Sequence, residues 1–357
     1  MKTPIIVDAH LDIAWNYRAL KRDFLEDLAT RRAREAKNGV SANNGTSTVS
    51  LDAALAGNVR LIFATLYVSP AFAGFGTGET YSTPEEAHAQ ALAQVAYYQT
   101  LFTHPRIRAV RTRADLQAVR ASWTTETPLL GIVLSMEGAD PIRTPQEFPF
   151  WYEQGIRAVG LAWSGTRYSG GTIYNGRGAG ALTDLGRELL PIMRAHNAIL
   201  DVSHMDEPAF DEALDLYDGP IIASHSNPRT FRDTQRHLSD DRLKRLSDKN
   251  GVVGVVPYNT FLHNNQDFAR TRANTPLSRY LDAIDHSVQM SGTARHVGIG
   301  SDFDGGFGME RTPIGLDSLA DMPKIAEGLA ARGYGDTDIT AICGGNWLRV
   351  LEAALPS

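Results

Sequence analysis

The sequence predicts an α/β protein of the (β/α)8 (TIM) barrel class, and three observations carry that prediction. Short β-branched-rich runs recur along the 357 residues, amphipathic helical patterns lie between them, and metal-ligating residue types stand where several runs give way to a loop. Buried parallel strands read as near-continuous apolar runs, and their alternation with helices marks βα units. In a (β/α)8 barrel the catalytic groups come from the C-terminal ends of several strands, which is where the ligand-type residues fall.

In order, the strand runs are IIVDAH (5–10), VRLIFATLYV (59–68), LLGIVLSM (129–136), GIRAVGLAW (155–163), AILDVSH (198–204), PIIASHS (220–226), GVVGVVPYN (251–259) and HVGIGSDFD (296–304). Helical patterns are expected over Pro84 to Phe102 behind the cap Thr83, Leu185 to His196 behind Thr183 and Asp184, Pro208 to Tyr217, Leu238 to Asp248, Leu277 to Met290, and Leu319 to Arg332. The competing architecture, a doubly wound open sheet, would place a Gly-rich turn after its first strand; His10-Leu11-Asp12 occupies that turn here. No Pro/Ser-rich linker or internal repeat divides the chain, so residues 1–357 are expected to form one domain with rim-loop insertions. The glycine-rich segments FAGFGTGET (72–80) and SGGTIYNGRGAG (169–180) read as mobile rim loops.

Composition narrows the function. With 43% hydrophobic and 21% charged residues the chain reads as globular, and a net charge of −6 with no basic cluster excludes nucleic acid and an anionic membrane surface as partners. A small-molecule substrate is expected. The single cysteine, Cys343, excludes an internal disulfide framework and a multi-thiolate zinc site, leaves nitrogen and oxygen ligands for any metal, and reads as buried packing. Asp8 and His10 interrupt the N-terminal apolar stretch and no run is long enough to span a bilayer, so a cytoplasmic location is expected.

The chemistry begins at His10 and Asp12, which stand two apart in an extended segment and so point to the same side. Glu137 ends the third run, where a buried carboxylate needs a cation; its alternative is an ion pair with an arginine such as Arg143. His204 and His225 end consecutive runs and should stand side by side, imidazole nitrogen being the commonest donor to zinc. Asp302 ends the last run, where a carboxylate can take and return a proton, while Asp304 is expected to face away or cap the next turn. The other histidines, among them His237 and His263, read by default as solvated or capping residues, with His263 the one that could approach the site.

Taken together these residues resemble the membrane (renal) dipeptidase family, binuclear zinc hydrolases on a (β/α)8 barrel, nearly end to end. The family's opening His-x-Asp is similar to His10 and Asp12, and its Glu-Gly followed by Tyr-x-x-Gly-Ile-Arg to Glu137-Gly138 and Tyr152 to Arg157. Its Leu-Thr-x-x-Gly resembles LTDLG from Leu182, its Asp-x-Ser-His Asp201 to His204, and its Ser-His-Ser Ser224 to Ser226; HVGIGSDFDG and GGNWLRVLE are similar to its closing motifs. The resemblance implies two zinc ions per chain, one held by His10 and Asp12, the other by His204 and His225, with Glu137 bridging. It further implies that Asp302 transfers the proton and that Arg236 binds the substrate carboxylate. One position departs: where the family usually has a histidine that stabilises the oxyanion, this chain has Trp163, which could give one weaker N–H hydrogen bond or wall the pocket. The implied activity is zinc-dependent hydrolysis of dipeptides by a metal-bridging hydroxide, Xaa-D-Xaa included, in a bacterial-type soluble member that could form a homodimer. The alternatives are a metal amidohydrolase of N-acyl amino acids or lactones and a catalytically silent metal-binding protein.

Overall fold

The computed structural model describes residues 3–73, 79–172 and 180–357. All eight strand runs form strands: β1 (Ile6–Leu11), β2 (Val59–Tyr67), β3 (Leu130–Glu137), β4 (Ile156–Gly160), β5 (Ile199–Asp201), β6 (Ile221–Ala223), β7 (Val252–Val255) and β8 (Val297–Ile299). Each pairs in parallel with its neighbours in chain order, and β8 pairs back onto β1, so the sheet closes into a barrel. A short strand, Ile107–Ala109, adds to the outer end of β3. Closure removes the open edge and with it the competing doubly wound sheet. The later strands are shorter than their apolar runs because Val202 to His204 and Ser224 to Ser226 leave the ladder to become rim.

Two apolar layers hold the barrel. Its interior packs Val7, Leu61, Phe63, Val133, Ile199 and Val252 against the C-terminal helix Asn346–Ala354, whose Trp347 meets Phe63 edge-on at 6.0 Å and donates its indole N–H to the Ile299 carbonyl at 3.1 Å. The outer faces of the strands pack on the surrounding helices, with Cys343 buried among them as expected. The helix Pro84–Leu101 begins with the capping box Thr83–Glu86, and Asp184–Ala195 with Thr183 as its cap.

The largest departure from the expected elements lies between β1 and β2, where four helices occur: Ile13–Leu20, Leu28–Asn38, Val40–Asn44 and Leu51–Ala56. This insertion is pinned by a buried ion pair, Arg22 Nε to Glu35 Oε1 at 2.9 Å, with Arg22 also donating to the Gly45 carbonyl at 2.7 Å. Its helices are short: Leu28–Asn38 buries only Arg31 and Glu35 and carries no apolar stripe, while Ile13–Leu20 and Leu51–Ala56 bury apolar residues over too few turns to read as a helical pattern. The helix Arg113–Ser122 also goes unread, since only Leu116 and Val119 give it a buried face. Among the described residues no helix is long and apolar enough to cross a membrane. The two glycine-rich loop segments fall largely outside the described residues.

Candidate active site

The barrel brings the expected ligand residues to one rim. His10 lies at the end of β1, Asp12 just beyond it, Glu137 is the last residue of β3, and His204, His225 and Asp302 follow β5, β6 and β8. All are buried except Asp302, whose side chain is 14% exposed. Glu137 stands between two groups. Its Oε1 is 3.1 Å from His204 Nε2 and 3.2 Å from His225 Nε2, while its Oε2 is 3.7 Å from His10 Nε2. On that second side His10 Nε2 also lies 3.7 Å from Asp12 Oδ2 and 4.0 Å from Asp302 Oδ1. The carboxylate thus faces a pair of imidazoles with one oxygen and a His-Asp pair with the other. Arg143, the alternative partner for Glu137, pairs with Glu147 instead.

Two of these residues hold left-handed backbone, His204 at φ 63° and Asp302 at φ 55°. Such conformations are uncommon for non-glycine residues and cluster at functional sites. Further contacts fix the rings. Ser224 Oγ donates to Asp201, whose other oxygen accepts from the Ser203 and Ser224 N–H groups at 3.0 Å each. That leaves Ser224 Oγ as acceptor for His225 Nδ1 at 2.8 Å, so the hydrogen-bond network assigns the proton to Nδ1 and keeps the Nε2 lone pair on Glu137. His10 Nδ1 lies 3.4 Å from the Thr65 hydroxyl, itself 3.1 Å from that of Ser135.

Charge follows from burial and neighbours. Burial, with the nearby charges of Arg236 and His10, holds His204 and His225 well below the usual histidine range and therefore neutral. Burial also disfavours charge on His10, but the carboxylates of Glu137, Asp12 and Asp302 outweigh it and push its pKa up to about 10. Asp302 is pushed up to about 7, mainly by burial and against the pull of His10 and Arg236. Three carboxylates around one imidazole make a pocket that draws positive charge, and a divalent ion is the stronger candidate for it. The donor set fits such ions. The Nε2 atoms of His204 and His225 stand 3.0 Å apart and both face one carboxylate oxygen, and the buried His10 Nε2 and Asp12 Oδ1 have no hydrogen-bond partner among the described residues. Within the same residues, His10, Glu137 and His225 form one group able to hold an ion, and His10, Asp12 and Asp302 another.

A cavity of about 380 Å³ opens over these groups, lined by Arg236 and Trp163 as well as Asp302. Arg236 is buried and anchored, donating to the His225 carbonyl at 2.7 Å and the Ser226 hydroxyl at 3.2 Å, while its Nε has no partner among the described residues. Burial lowers its pKa to about 10, which leaves it charged at neutral pH. The Trp163 ring stands 5.2 Å from Tyr67 and 6.2 Å from His204, centroid to centroid. Asp304 is turned away: its carboxylate accepts from the Thr48 N–H at 2.8 Å, the Thr48 hydroxyl at 2.7 Å and the Val49 N–H at 3.2 Å.

Sequence reasoning missed much of the cavity wall, namely Trp15, Asn43, Asn44, Tyr67, Tyr258, Phe261 and Phe307. Tyr67 and Tyr258 end or follow apolar runs, so their rim position was available as a signal; Asn43 and Asn44 come from the unread insertion. His237 is buried, packing edge-on to Phe261 at 4.6 Å, which corrects its reading as solvated or capping: its neighbour Arg236 faces the cavity and draws it inward. His263 does not reach the site and contacts the Thr275 hydroxyl at 3.0 Å.

A family model described as membrane dipeptidase, peptidase family M19, matches residues 1–355. An uncharacterised protein from the pqqA 5′ region of Klebsiella pneumoniae is 32% identical over 269 residues, 72% of this chain and 94% of that protein. A protein of Schizosaccharomyces pombe, named an uncharacterised dipeptidase, is 29% identical over 220 residues, 61% of this chain and 52% of its own length. Among solved structures, the M19 metallopeptidase dipeptidase AC superposes with a TM-score of 0.78 at 23% identity, covering 100% of both chains. A metallopeptidase from Rhodobacter sphaeroides, liganded with a phosphinate mimic of the dipeptide L-Ala-D-Ala, gives 0.77 at 23% identity, covering 99% of this chain and 100% of that one.

Proposed function

The chain belongs to the membrane dipeptidase family, peptidase family M19, and from that premise we propose that it hydrolyses dipeptides, Xaa-D-Xaa included, with two zinc ions per chain. The observation that carries the reading is the Glu137 carboxylate, one oxygen toward His204 and His225 and the other toward His10 and Asp12. His10 and Asp12 would hold one ion, His204 and His225 the other, and Glu137 would bridge them. When bound, such ions supply Lewis acidity and make water available as a nucleophile near neutrality.

The chain's own residues supply the rest. Arg236 keeps its charge and three of its five N–H donors free of the two bonds described, enough to take a free C-terminal carboxylate and set its distance from Glu137. Asp302, beside His10 and on the cavity wall, holds a proton and passes it to the departing nitrogen. Trp15, Tyr67 and Trp163 form an aromatic cluster that packs the N-terminal residue and keeps bulk water from the reacting bond. Acceptance of a D residue in second position draws support from the Rhodobacter sphaeroides neighbour with its L-Ala-D-Ala mimic.

Metal analysis of active protein together with a screen of L,L and L,D dipeptides tests the reading. Two ions per chain and chelator-sensitive dipeptide turnover are expected. One ion or none in active protein would remove the binuclear assignment, and hydrolysis of N-acyl amino acids or lactones without dipeptides would replace the activity.

A further inference from the structure

We propose that a second cavity beside the catalytic pocket receives the side chain of the substrate's C-terminal residue and selects an acidic one. The inference rests on the dipeptidase reading and names its substrate class. This cavity, about 620 Å³, shares Asn43, Asn44, Tyr258, Gly306 and Phe307 with the catalytic pocket. The shared wall runs on to Arg236: Phe307 stacks on Tyr258 with centroids 4.2 Å apart, Tyr258 meets Phe261 at 4.9 Å, and the Arg236 guanidinium lies 5.3 Å from the Phe261 ring centre. The passage therefore opens on the side where Arg236 would hold the C-terminal carboxylate. Trp15, Tyr67 and Trp163 belong to a separate aromatic cluster and line only the catalytic pocket.

The charged lining of the second cavity is Arg270, Glu310 and Arg311. Glu310 is committed to Thr46, accepting from its N–H at 3.0 Å and from its hydroxyl. Arg270 has an exposed Asp267 at 3.6 Å. Arg311 is half-buried and has no ion-pair partner among the described residues. The lining thus carries a net positive charge, centred on a partly desolvated guanidinium that a carboxylate would satisfy. An amide of the same shape would gain little from the guanidinium, and a basic side chain would be repelled.

Comparison of kcat/KM for Ala-Glu and Ala-Gln, with the second residue in both L and D forms, tests this in the full-length enzyme. In the better-accepted series the acid should be preferred by roughly three- to tenfold at low ionic strength, and the preference should shrink at high salt because the pair is partly exposed. Arg311→Met and Arg311→Gln should each bring the ratio to about one. Equal rates for acid and amide in the unmodified enzyme, or a preference that survives both substitutions, would overturn the inference while brisk Ala-Ala hydrolysis left the dipeptidase reading standing. Failure to turn over Ala-Ala as well would remove both.

Discussion

Glu137 is the side chain whose replacement best separates a binuclear centre from an ordinary buried ion-pair cluster. Glu137→Gln keeps the shape but gives up the charge that faces three imidazoles, so the protein should lose one or both ions and most of its activity. Unchanged metal content in the purified variant would return Glu137 to a hydrogen-bonding role. Asp302→Asn should retain its metal and lower kcat by roughly 10²–10⁴, the range for a lost proton-transfer group. Asp304→Asn should do the opposite, costing about 1–3 kcal/mol in a denaturation experiment, because it would disturb three hydrogen bonds to Thr48 and Val49, with little effect on kcat. The reverse pattern would exchange the roles of the two aspartates. The sequence could rank them by distance from the apolar run, but not reveal the partners of Asp304, Thr48 and Val49, which lie far away in the insertion between β1 and β2. Arg236→Met should raise KM far more than it alters metal content, and C-terminally amidated dipeptides should be poor substrates, each losing about 1.5–3 kcal/mol of charged hydrogen bonding. Equal kcat/KM for a dipeptide and its amide would count against a carboxylate role for Arg236.

Strands deliver these groups only if their backbones approach closely, and two glycines allow it. A Cβ at Gly254, on β7, would lie 1.9 Å from the Ser224 carbonyl oxygen, and one at Gly300, just past β8, would lie 1.8 Å from the same atom. That carbonyl immediately precedes His225, so Gly300→Ala must push the β6 rim outward. The substitution should destabilise the fold by about 1–3 kcal/mol, as overpacking does, and weaken metal retention in proportion as His225 shifts. A variant that melts and binds metal like the parent would show that the rim yields without moving the histidine. Elements with a strong pattern are legible in the sequence: β3 pairs with β2 from Leu61↔Gly131 to Tyr67↔Glu137, and the helix Pro84–Leu101 starts at its Thr-Pro-Glu-Glu signal. Elements held mainly by polar contacts are not, as with Leu28–Asn38, whose place depends on Arg22, Glu35 and Arg31 bonding to distant carbonyls and carboxylates.

At the scale of the whole barrel the site joins strands far apart in sequence. His10, Glu137, His204, His225 and Asp302 come from five strands, so their positions on one rim follow from closure of the sheet, and the recurrence of ligand-type residues at strand ends makes that much legible in the chain itself. The depth of the pocket is less so, because Asn43, Asn44, Tyr258 and Phe307 come from connections whose paths no periodicity fixes. The same geometry predicts how metal and stability are linked. Without ions, three carboxylates and three imidazoles crowd one buried rim with orphaned donor atoms, an arrangement that costs desolvation energy and repels itself. Cations bound to the folded barrel but not to the unfolded chain stabilise it by mass action, by about 4 kcal/mol for each site held at a thousandfold excess over its Kd. Chelated protein should therefore melt several degrees below the metal-loaded form, and two equivalents of zinc should restore it in step with activity. The Glu137→Gln protein separates this from a general effect of zinc on the surface: its melting temperature should respond much less to added metal. An equal response in both proteins, or none in either, would mean that the ions do not staple these strands together.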